Sequence, residues 1–279
     1  MELISTAELS SLDDPNLILV DGSYFLPSHK KDGLQAFNSQ HIPGAIFFDI
    51  DAIADRNTPL PHMLPSEKAF GDLVGQLGIG HADRIIIYDQ SPLRSAARVW
   101  WSLKIFGALN VSILNGGLQK WLLEGRPIET GDSLNRPPKK FLARLDKDRL
   151  KNKNDMLAFL RTKGVQIVDA RPRGRFNGSE PEPRPGLRSG HIPGAKNLPF
   201  TELFDPATHT YLPKESLSMK FQEAGIDLQA PIVAHCGSGI TACPVLFAGH
   251  LCGASKMSLY DGSWTEWGAA DDTPVVKSP

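Results

Sequence analysis

Cys236 is the residue of this sequence whose type and surroundings most clearly point to chemistry. It follows the short apolar run Pro231–Ala234 and opens the loop Gly237-Ser-Gly-Ile-Thr241, after which a helical pattern begins. The thiolate of cysteine is a strong nucleophile. Gly237 and Gly239 allow the loop to curl, with backbone N–H groups directed inward. Those donors, together with the dipole of the following helix, would stabilise a thiolate or persulfide anion. The pattern therefore predicts a reactive cysteine, although most free cysteines are simply small buried apolar residues.

Phosphatase chemistry uses a similar loop, but this sequence lacks the residue on which it depends. In such loops an arginine six positions after the cysteine clamps the phosphate oxygens. Here that position is Ala242, and Gly237 to Thr241 carry no positive charge. We therefore exclude a phosphatase. The other two cysteines, Cys243 and Cys252, lie in the apolar helical pattern and are interpreted as core residues.

The composition is that of an ordinary globular protein in a reducing compartment. The 279 residues are 41% apolar and 22% charged, with a formal net charge of −1, which does not favour a nucleic-acid or membrane surface. The three cysteines imply no disulfide framework. The N-terminus shows no secretory or transit pattern, and no apolar run would span a membrane. We expect a monomeric cytoplasmic protein.

The chain matches itself at an offset of about 146–150 residues, which is typical of a duplicated domain. The histidines of the repeated His-Ile-Pro-Gly-Ala turns, His41 and His191, are interpreted as holding those turns by hydrogen bonds. The matched pairs are Leu19–Asp21 with Ile167–Asp169, Gln40–Ala45 with Gly190–Ala195, and Asn115–Trp121 with Asp261–Trp267.

Strands and helices alternate in each half, which predicts an α/β fold with two open, mostly parallel sheets flanked by helices. A polar, proline-containing stretch follows the first half. We predict a first domain over residues 1–130, a linker over 131–150 and a second domain over 151–279. The predicted strands are Leu17–Asp21, Arg84–Tyr88, Val165–Asp169 and Pro231–Ala234, and the predicted helices are Ser66–Gly78, Ser95–Phe106, Lys214–Gly225 and Thr241–Leu251.

With these motifs in order, nearly the whole chain resembles the rhodanese superfamily, as two tandem rhodanese-like domains with the cysteine only in the second. The loop from Cys236 to Thr241 is similar to that of the mercaptopyruvate sulfurtransferases in this superfamily. Rhodaneses that use thiosulfate, a dianion, typically carry basic residues inside this loop. The neutral Gly, Ser, Gly and Ile here suit a substrate whose charge lies farther away, on a carboxylate.

The resemblance also implies residues that bind the substrate. The segment Gly174–Arg184 resembles the family's substrate-binding stretch, and by that match Arg175 and Arg184 bind the carboxylate and carbonyl oxygens of 3-mercaptopyruvate. A guanidinium suits forked contacts to a carboxylate. Charge alone leaves open a solvated surface or an ion pair with Asp169, Glu180 or Glu182. Three other arginines lie nearby: Arg171, Arg173 and Arg188. The loop residues assigned to substrate binding are Gly237, Gly239, Ile240 and Thr241.

A hydrogen-bonded relay of Asp51, His62 and Ser238 is a further implication of the resemblance. In the family pattern, an Asp and a His of the first domain act with the Ser of the cysteine loop. A carboxylate that orients an imidazole, which in turn polarises a hydroxyl, is established acid–base machinery. The first half has no cysteine, and an ungapped offset places Gln90 opposite Cys236. That half is interpreted as a scaffold that contributes to the site.

The activity implied is a ping-pong transfer of sulfur through a Cys236 persulfide. The acceptor would be a thiol such as thioredoxin or a small thiol, or cyanide in an assay. No spacing resembles a zinc site and no glycine-rich loop suits a nucleotide, so no metal or organic cofactor is expected. Two alternatives remain open: a thiosulfate:cyanide sulfurtransferase, and a non-catalytic module that carries persulfide or binds a partner.

Overall fold

The computed structural model describes residues 2–133, 135–162 and 164–278, and these form two compact units. Unit 1 comprises Met1–Arg56, Leu64–Asp146 and Asp205–Tyr211, and unit 2 comprises Asn57–Met63, Lys147–Phe204 and Leu212–Pro279. None of the helices in the described residues is both long and apolar enough to cross a membrane.

Unit 1 contains a five-stranded parallel sheet with strand order β1-β5-β4-β2-β3. Helices connect its strands, as parallel pairing requires. The strands are β1 Leu3–Ile4, β2 Leu17–Asp21, β3 Ile46–Phe47, β4 Arg84–Tyr88 and β5 Asn110–Leu114, and the helices are α1 Thr6–Ser10, α2 Gly33–Ser39, α3 Ile50–Ile53, α4 Glu67–Gln76, α5 Ala96–Ile105 and α6 Gly117–Leu123.

Unit 2 repeats this plan with strand order β6-β10-β9-β7-β8, again all parallel. The predicted α/β fold with two open parallel sheets is therefore confirmed. Its strands are β6 Leu150–Lys151, β7 Gln166–Asp169, β8 Lys196–Asn197, β9 Ile232–His235 and β10 Met257–Tyr260, and its helices are α7 Lys153–Thr162, α8 Arg173–Asn177, α9 Lys214–Glu223, α10 Ala242–Leu251 and α11 Ser263–Trp267.

Continuous apolar runs form the central strands because both faces of a covered parallel sheet are buried. Ile85, Ile86 and Ile87 in β4 are fully buried. Strands β2 and β4 have the predicted bounds. Strand β9 lies one residue later than predicted, at Ile232–His235, so it extends to the residue before Cys236.

Helix ends follow local chemistry. Ser66 caps α4 by accepting a hydrogen bond from the backbone N–H of Ala69 at 3.3 Å. Gly78 adopts a φ of +77°, a conformation that glycine tolerates and that ends the helix near this point. The predicted helix Ser66–Gly78 therefore shortens to Glu67–Gln76, because Ser66 and Leu77 are its caps and Gly78 lies beyond the C-cap.

The two repeated turns are held as predicted. The Nδ1 atom of His41 lies 2.9 Å from the carbonyl oxygen of Phe37, and that of His191 lies 2.8 Å from the carbonyl oxygen of Phe176. Each imidazole also stacks on the phenyl ring of the same partner, with centroids 4.0 and 3.8 Å apart. Both histidines are buried and structural.

Part of the predicted linker packs on unit 1. The backbone N–H of Lys139 donates to the carbonyl oxygen of Gly75 at 2.9 Å, and Phe141 is buried with its ring 5.6 Å from that of Phe70. The boundaries 1–130, 131–150 and 151–279 themselves stay a prediction.

Each unit includes a short segment from the opposite half of the chain. Unit 2 includes Asn57–Met63, and unit 1 includes Asp205–Tyr211. Within unit 1, the backbone N–H of Tyr211 donates to Oδ1 of Asn115 at 2.8 Å. These segments mean that neither unit is a continuous stretch of sequence.

Candidate active site

Cys236 lies at the carboxyl end of β9, directly before the loop that leads into α10. In a parallel sheet this edge is where ligands bind. We call the segment from Cys236 to Thr241 the cysteine loop. The Cys236 residue is 1% exposed and its thiol forms no disulfide. The strand–loop–helix position predicted from the sequence is therefore the one observed.

The start of α11 holds the first two residues of the cysteine loop. The backbone N–H of Cys236 donates to Oγ of Ser263 at 3.2 Å, and its carbonyl oxygen accepts from the N–H of Trp264 at 2.9 Å. The carbonyl oxygen of Gly237 accepts from the N–H and the Oγ1–H of Thr265, at 2.9 and 2.6 Å. These contacts fix the backbone that carries the sulfur. Sequence reasoning missed them, although the repeated Asp261–Trp267 segment was the available signal.

Backbone donors in the rest of the loop remain available. Within the residues that the structure describes, the N–H groups of Ser238, Ile240 and Thr241 have no protein partner. Gly239 adopts a φ of +78°, which glycine permits at low cost. A curled loop with available N–H groups at a helix start can bind an anion.

The residue equivalent to Cys236 in unit 1 is Asp89, and the predicted correspondence with Gln90 is wrong. Just as the N–H of Trp264 donates to the carbonyl oxygen of Cys236, the N–H of Leu118 donates to that of Asp89 at 2.9 Å. The sheet register agrees. Tyr88, directly before Asp89, pairs with Asp21 at the end of β2, and His235, directly before Cys236, pairs with Asp169 at the end of β7. The unit 1 loop is one residue longer before its helix, which shifts an ungapped alignment.

Asp89 shows what this kind of loop binds. Its Oδ1 accepts the N–H of Ser91 at 3.1 Å and its Oδ2 accepts the N–H of Ala96 at 2.7 Å, at the start of α5. Burial raises the pKa of Asp89, against the lowering effect of Arg94 and of these two bonds. In unit 1 a side-chain carboxyl group therefore takes the loop donors. In unit 2 the equivalent position holds the sulfur of Cys236.

Both predicted substrate arginines lie beside the cysteine loop. A Cβ atom added at Gly237 would be 3.4 Å from Nη2 of Arg175 and 3.9 Å from Nη1 of Arg184. Arg175 belongs to α8, whereas Arg184 is in the following loop. In the described part of the chain, Arg184 has no ion-pair partner. The absence of a side chain at Gly237 thus leaves two guanidinium groups next to the loop of the nucleophile.

An ion-pair chain connects Arg175 to the end of β7. Glu182 accepts hydrogen bonds from both Arg175 and Arg171, and Arg171 also binds Asp169. Burial tends to raise the pKa of Asp169, but nearby His235 and Arg171 lower it, and the net shift is downward. Asp169 and Arg171 are therefore an ion pair at neutral pH.

His235 precedes Cys236 but is fully buried, with its Nε2 3.5 Å from Oδ2 of Asp169. Burial lowers the pKa of His235, although Asp169 acts in the opposite direction. The ring contacts the ion-pair chain, so a structural role fits this histidine.

His62 reaches the cysteine loop, since it belongs to the segment that packs in unit 2. Its Nδ1 lies 3.2 Å from the backbone carbonyl oxygen of Ser238, and the residue is 4% exposed. Nδ1 must carry the proton in such a bond, which in a neutral ring makes Nε2 the basic nitrogen. Asp51 is an exposed residue in the first turn of α3 in unit 1. The contact of Asp51 with His62, and of His62 with the hydroxyl of Ser238, stays a prediction.

Comparison with known families agrees with this architecture. The rhodanese-like domain family matches residues 7–124 and 152–270. The chain belongs to the rhodanese-like family. The two matches lie one in each half of the chain, so the rhodanese-like domain occurs twice. Only the second copy carries a cysteine in its loop, Cys236.

Several relatives resemble this rhodanese-like chain over most of their length. It is 46% identical to "3-mercaptopyruvate sulfurtransferase" of Rattus norvegicus over 253 residues, which cover 90% of this chain and 84% of the relative. It is 42% identical to "Thiosulfate sulfurtransferase" of Cricetulus griseus over 257 residues, or 91% and 85% of the two chains. The solved structure of SseA, described as a 3-mercaptopyruvate sulfotransferase from Escherichia coli, matches with a TM-score of 0.85 at 37% identity, covering 94% of this chain and 98% of that one.

Proposed function

We propose that this protein is a sulfurtransferase that takes sulfur from 3-mercaptopyruvate onto Cys236 and releases pyruvate. The observation that carries the proposal is the arrangement around Gly237. Two guanidinium groups lie 3.4 and 3.9 Å from the position of its missing Cβ, beside a cysteine loop whose interior residues are uncharged. Positive charge is thus placed next to the loop rather than in it, as a donor with a distant carboxylate requires.

In the first half of the reaction, the Cys236 thiolate attacks the sulfur of the donor. A new S–S bond forms while the bond from sulfur to carbon breaks, and its electron pair leaves with pyruvate as an enolate. Arg175 and Arg184 hold the carboxylate and carbonyl oxygens and stabilise the charge that develops on the enolate oxygen. The enolate carbon then takes a proton, which we assign to the relay of Ser238, His62 and Asp51.

In the second half, the persulfide is held by the N–H groups of the loop. We assign this binding to the donors of Ser238, Ile240 and Thr241, with Gly237 and Gly239 giving the loop its shape. An acceptor thiol, such as thioredoxin or a small thiol, attacks the outer sulfur and restores the Cys236 thiolate. Cyanide can serve as the acceptor in an assay.

Thiosulfate is the competing donor, because one relative that is 42% identical is named for that activity. Thiosulfate is a dianion and would need cations close to the sulfur. The loop interior from Gly237 to Ile240 is uncharged, which supports mercaptopyruvate. A persulfide carrier without turnover is less compatible with two arginines beside the nucleophile.

A comparison of donors tests the proposal. The values of kcat/KM for mercaptopyruvate and thiosulfate would be measured with cyanide as acceptor, for the wild type and Cys236→Ser. We expect mercaptopyruvate to be preferred by about tenfold or more, or roughly 1.4 kcal/mol of transition-state stabilisation, and Cys236→Ser to be inactive with both donors. A preference for thiosulfate would reject the substrate assignment. Absence of turnover with either donor would favour the carrier.

Molecular organisation completes the proposal. We propose a cytoplasmic monomer with domains at 1–130 and 151–279 joined by a linker at 131–150. Size-exclusion chromatography with light scattering would test the monomer, and limited proteolysis would test the boundaries.

A further inference from the structure

Glu182 occupies an unusual position for a carboxylate, between two arginines and almost without solvent contact. Its side chain is 1% exposed. Oε1 accepts from Nη1 of Arg171 at 2.7 Å and from Nε of Arg175 at 3.2 Å, and Oε2 accepts from Nη2 of Arg175. The second arginine is the one that lies 3.4 Å from the Cβ position of Gly237. The Nη2 atom of Arg175 that binds Glu182 is also the atom nearest Gly237, so Glu182 holds the nitrogen that borders the cysteine loop.

Arg171, the other arginine bound to Glu182, is itself held by several buried contacts. Arg171 has no exposed side-chain surface, and its Nε lies 3.0 and 3.1 Å from the two oxygens of Asp169. Its Nη2 donates to the carbonyl oxygen of Gly190 at 2.8 Å, and its guanidinium carbon lies 4.0 Å from the ring centroid of Trp264. The chain Asp169–Arg171–Glu182 thus extends from the end of β7 with little freedom to move.

Stability alone does not account for this arrangement. A buried ion pair contributes little net stability because desolvation offsets the attraction between its charges. Arginine is a long side chain with much rotamer freedom, and forked binding to a carboxylate requires a fixed guanidinium plane. A partner that occupies two nitrogens of Arg175 fixes that plane before the donor arrives, which lowers the cost of binding.

We propose that Glu182 is a positioning residue that sets the orientation of Arg175 for the carboxylate end of the sulfur donor. This inference rests on the proposed function, in which Arg175 and Arg184 together hold the carboxylate and carbonyl oxygens, and it assigns the carboxylate end to Arg175. Glu182 does not contact the reacting sulfur. Its contribution is to present Arg175 beside Gly237 in one orientation, while Arg184, which has no ion-pair partner among the described residues, supplies the second cation.

The experiment compares Glu182→Gln with Glu180→Gln, a matched control two residues earlier whose side chain is exposed. Because the carboxylate of the donor carries its charge in both the ground and transition states, we expect Glu182→Gln to raise KM for mercaptopyruvate by about tenfold and to change kcat by less than about threefold. The Kd of pyruvate, measured by calorimetry with the Cys236→Ser protein, should rise by a similar factor. Glu182→Asp, which keeps the charge on a shorter stem, should lie between the wild type and Glu182→Gln. The control should behave as the wild type.

The outcomes separate the two proposals. If Glu182→Gln leaves both KM and the Kd of pyruvate unchanged, the positioning role is rejected. If kcat falls and KM stays constant, it is rejected as well. If the wild type shows no mercaptopyruvate turnover but Glu182→Gln still weakens pyruvate binding, the proposed function fails and the positioning of Arg175 stands. Should Glu182→Gln fail to fold, shown by its thermal unfolding, the same comparison with Glu182→Asp decides.

Discussion

At the scale of single residues, Gly237 determines the space between the cysteine loop and the substrate arginines. We expect Gly237→Ala to lower kcat/KM for mercaptopyruvate by about tenfold, because its methyl group would occupy the side of the loop that faces Arg175 and Arg184. Its backbone does not need the left-handed region, so thermal unfolding should be unchanged. Gly164→Ala, where an added Cβ meets open space, is the control. An unaltered kcat/KM for Gly237→Ala would place the donor elsewhere.

Asp21 and Asp169 end equivalent strands, yet their environments differ. Asp169 binds the guanidinium of Arg171, whereas Asp21 accepts the backbone N–H of Ser23 at 2.8 Å. Burial raises the pKa of Asp21 to about 6, from its usual 3.8, and the nearby Asp89 adds to the increase. The same residue type at the same strand end therefore has opposite pKa shifts.

The raised pKa of Asp21 predicts how stability depends on pH. Protonated Asp21 favours the folded state, so its contribution is complete below the usual pKa of 3.8 and is lost as pH rises through about 6. Asp21→Asn should therefore be more stable than the wild type at pH 7, by up to about 3 kcal/mol, and this gain should vanish near pH 4. Urea unfolding of both proteins at the two pH values measures it. An equal difference at both values would contradict the prediction.

At the scale of elements, the start of α11 controls the shape of the cysteine loop. Thr265→Val removes the 2.6 Å hydrogen bond to the carbonyl oxygen of Gly237 and keeps the side-chain shape. We expect the free energy of unfolding to fall by about 1 kcal/mol and kcat/KM to fall by roughly threefold to tenfold. Thr273→Val is the control, since its hydroxyl bonds Trp267 and Ala270 instead. If both variants lose activity equally, the effect is only one of stability.

Elements were more predictable from the sequence than the contacts among them. The runs Leu17–Asp21 and Arg84–Tyr88 form strands with the predicted bounds because local apolar pattern decides a buried parallel strand. No local pattern encodes the contact between His62 and Ser238, which are 176 positions apart. The family resemblance pointed to both residues. For Arg175, charge alone allowed an ion pair with Asp169, Glu180 or Glu182, and the structure identifies Glu182 as the partner.

At the scale of the whole molecule, the segment Asn57–Met63 comes from the first half of the sequence but belongs to unit 2. A fragment of residues 147–279 would lack it and, with it, His62. We expect this fragment to form no persulfide on Cys236 with mercaptopyruvate, as read by mass spectrometry. A full chain cleaved at an inserted protease site beside the exposed Pro138 keeps the segment and should retain the reaction. Persulfide formation by the isolated fragment would show that the segment is dispensable.

The reciprocal segment, Asp205–Tyr211, has a consequence for synthesis on the ribosome. Unit 1 ends with this later segment, so its last part is made only after Lys147–Phe204 of unit 2 has been translated. A protein made from its N-terminus cannot finish one unit before starting the other. A pause in translation before Asp205 would therefore leave the first unit without its last segment, although most of both units had already been made.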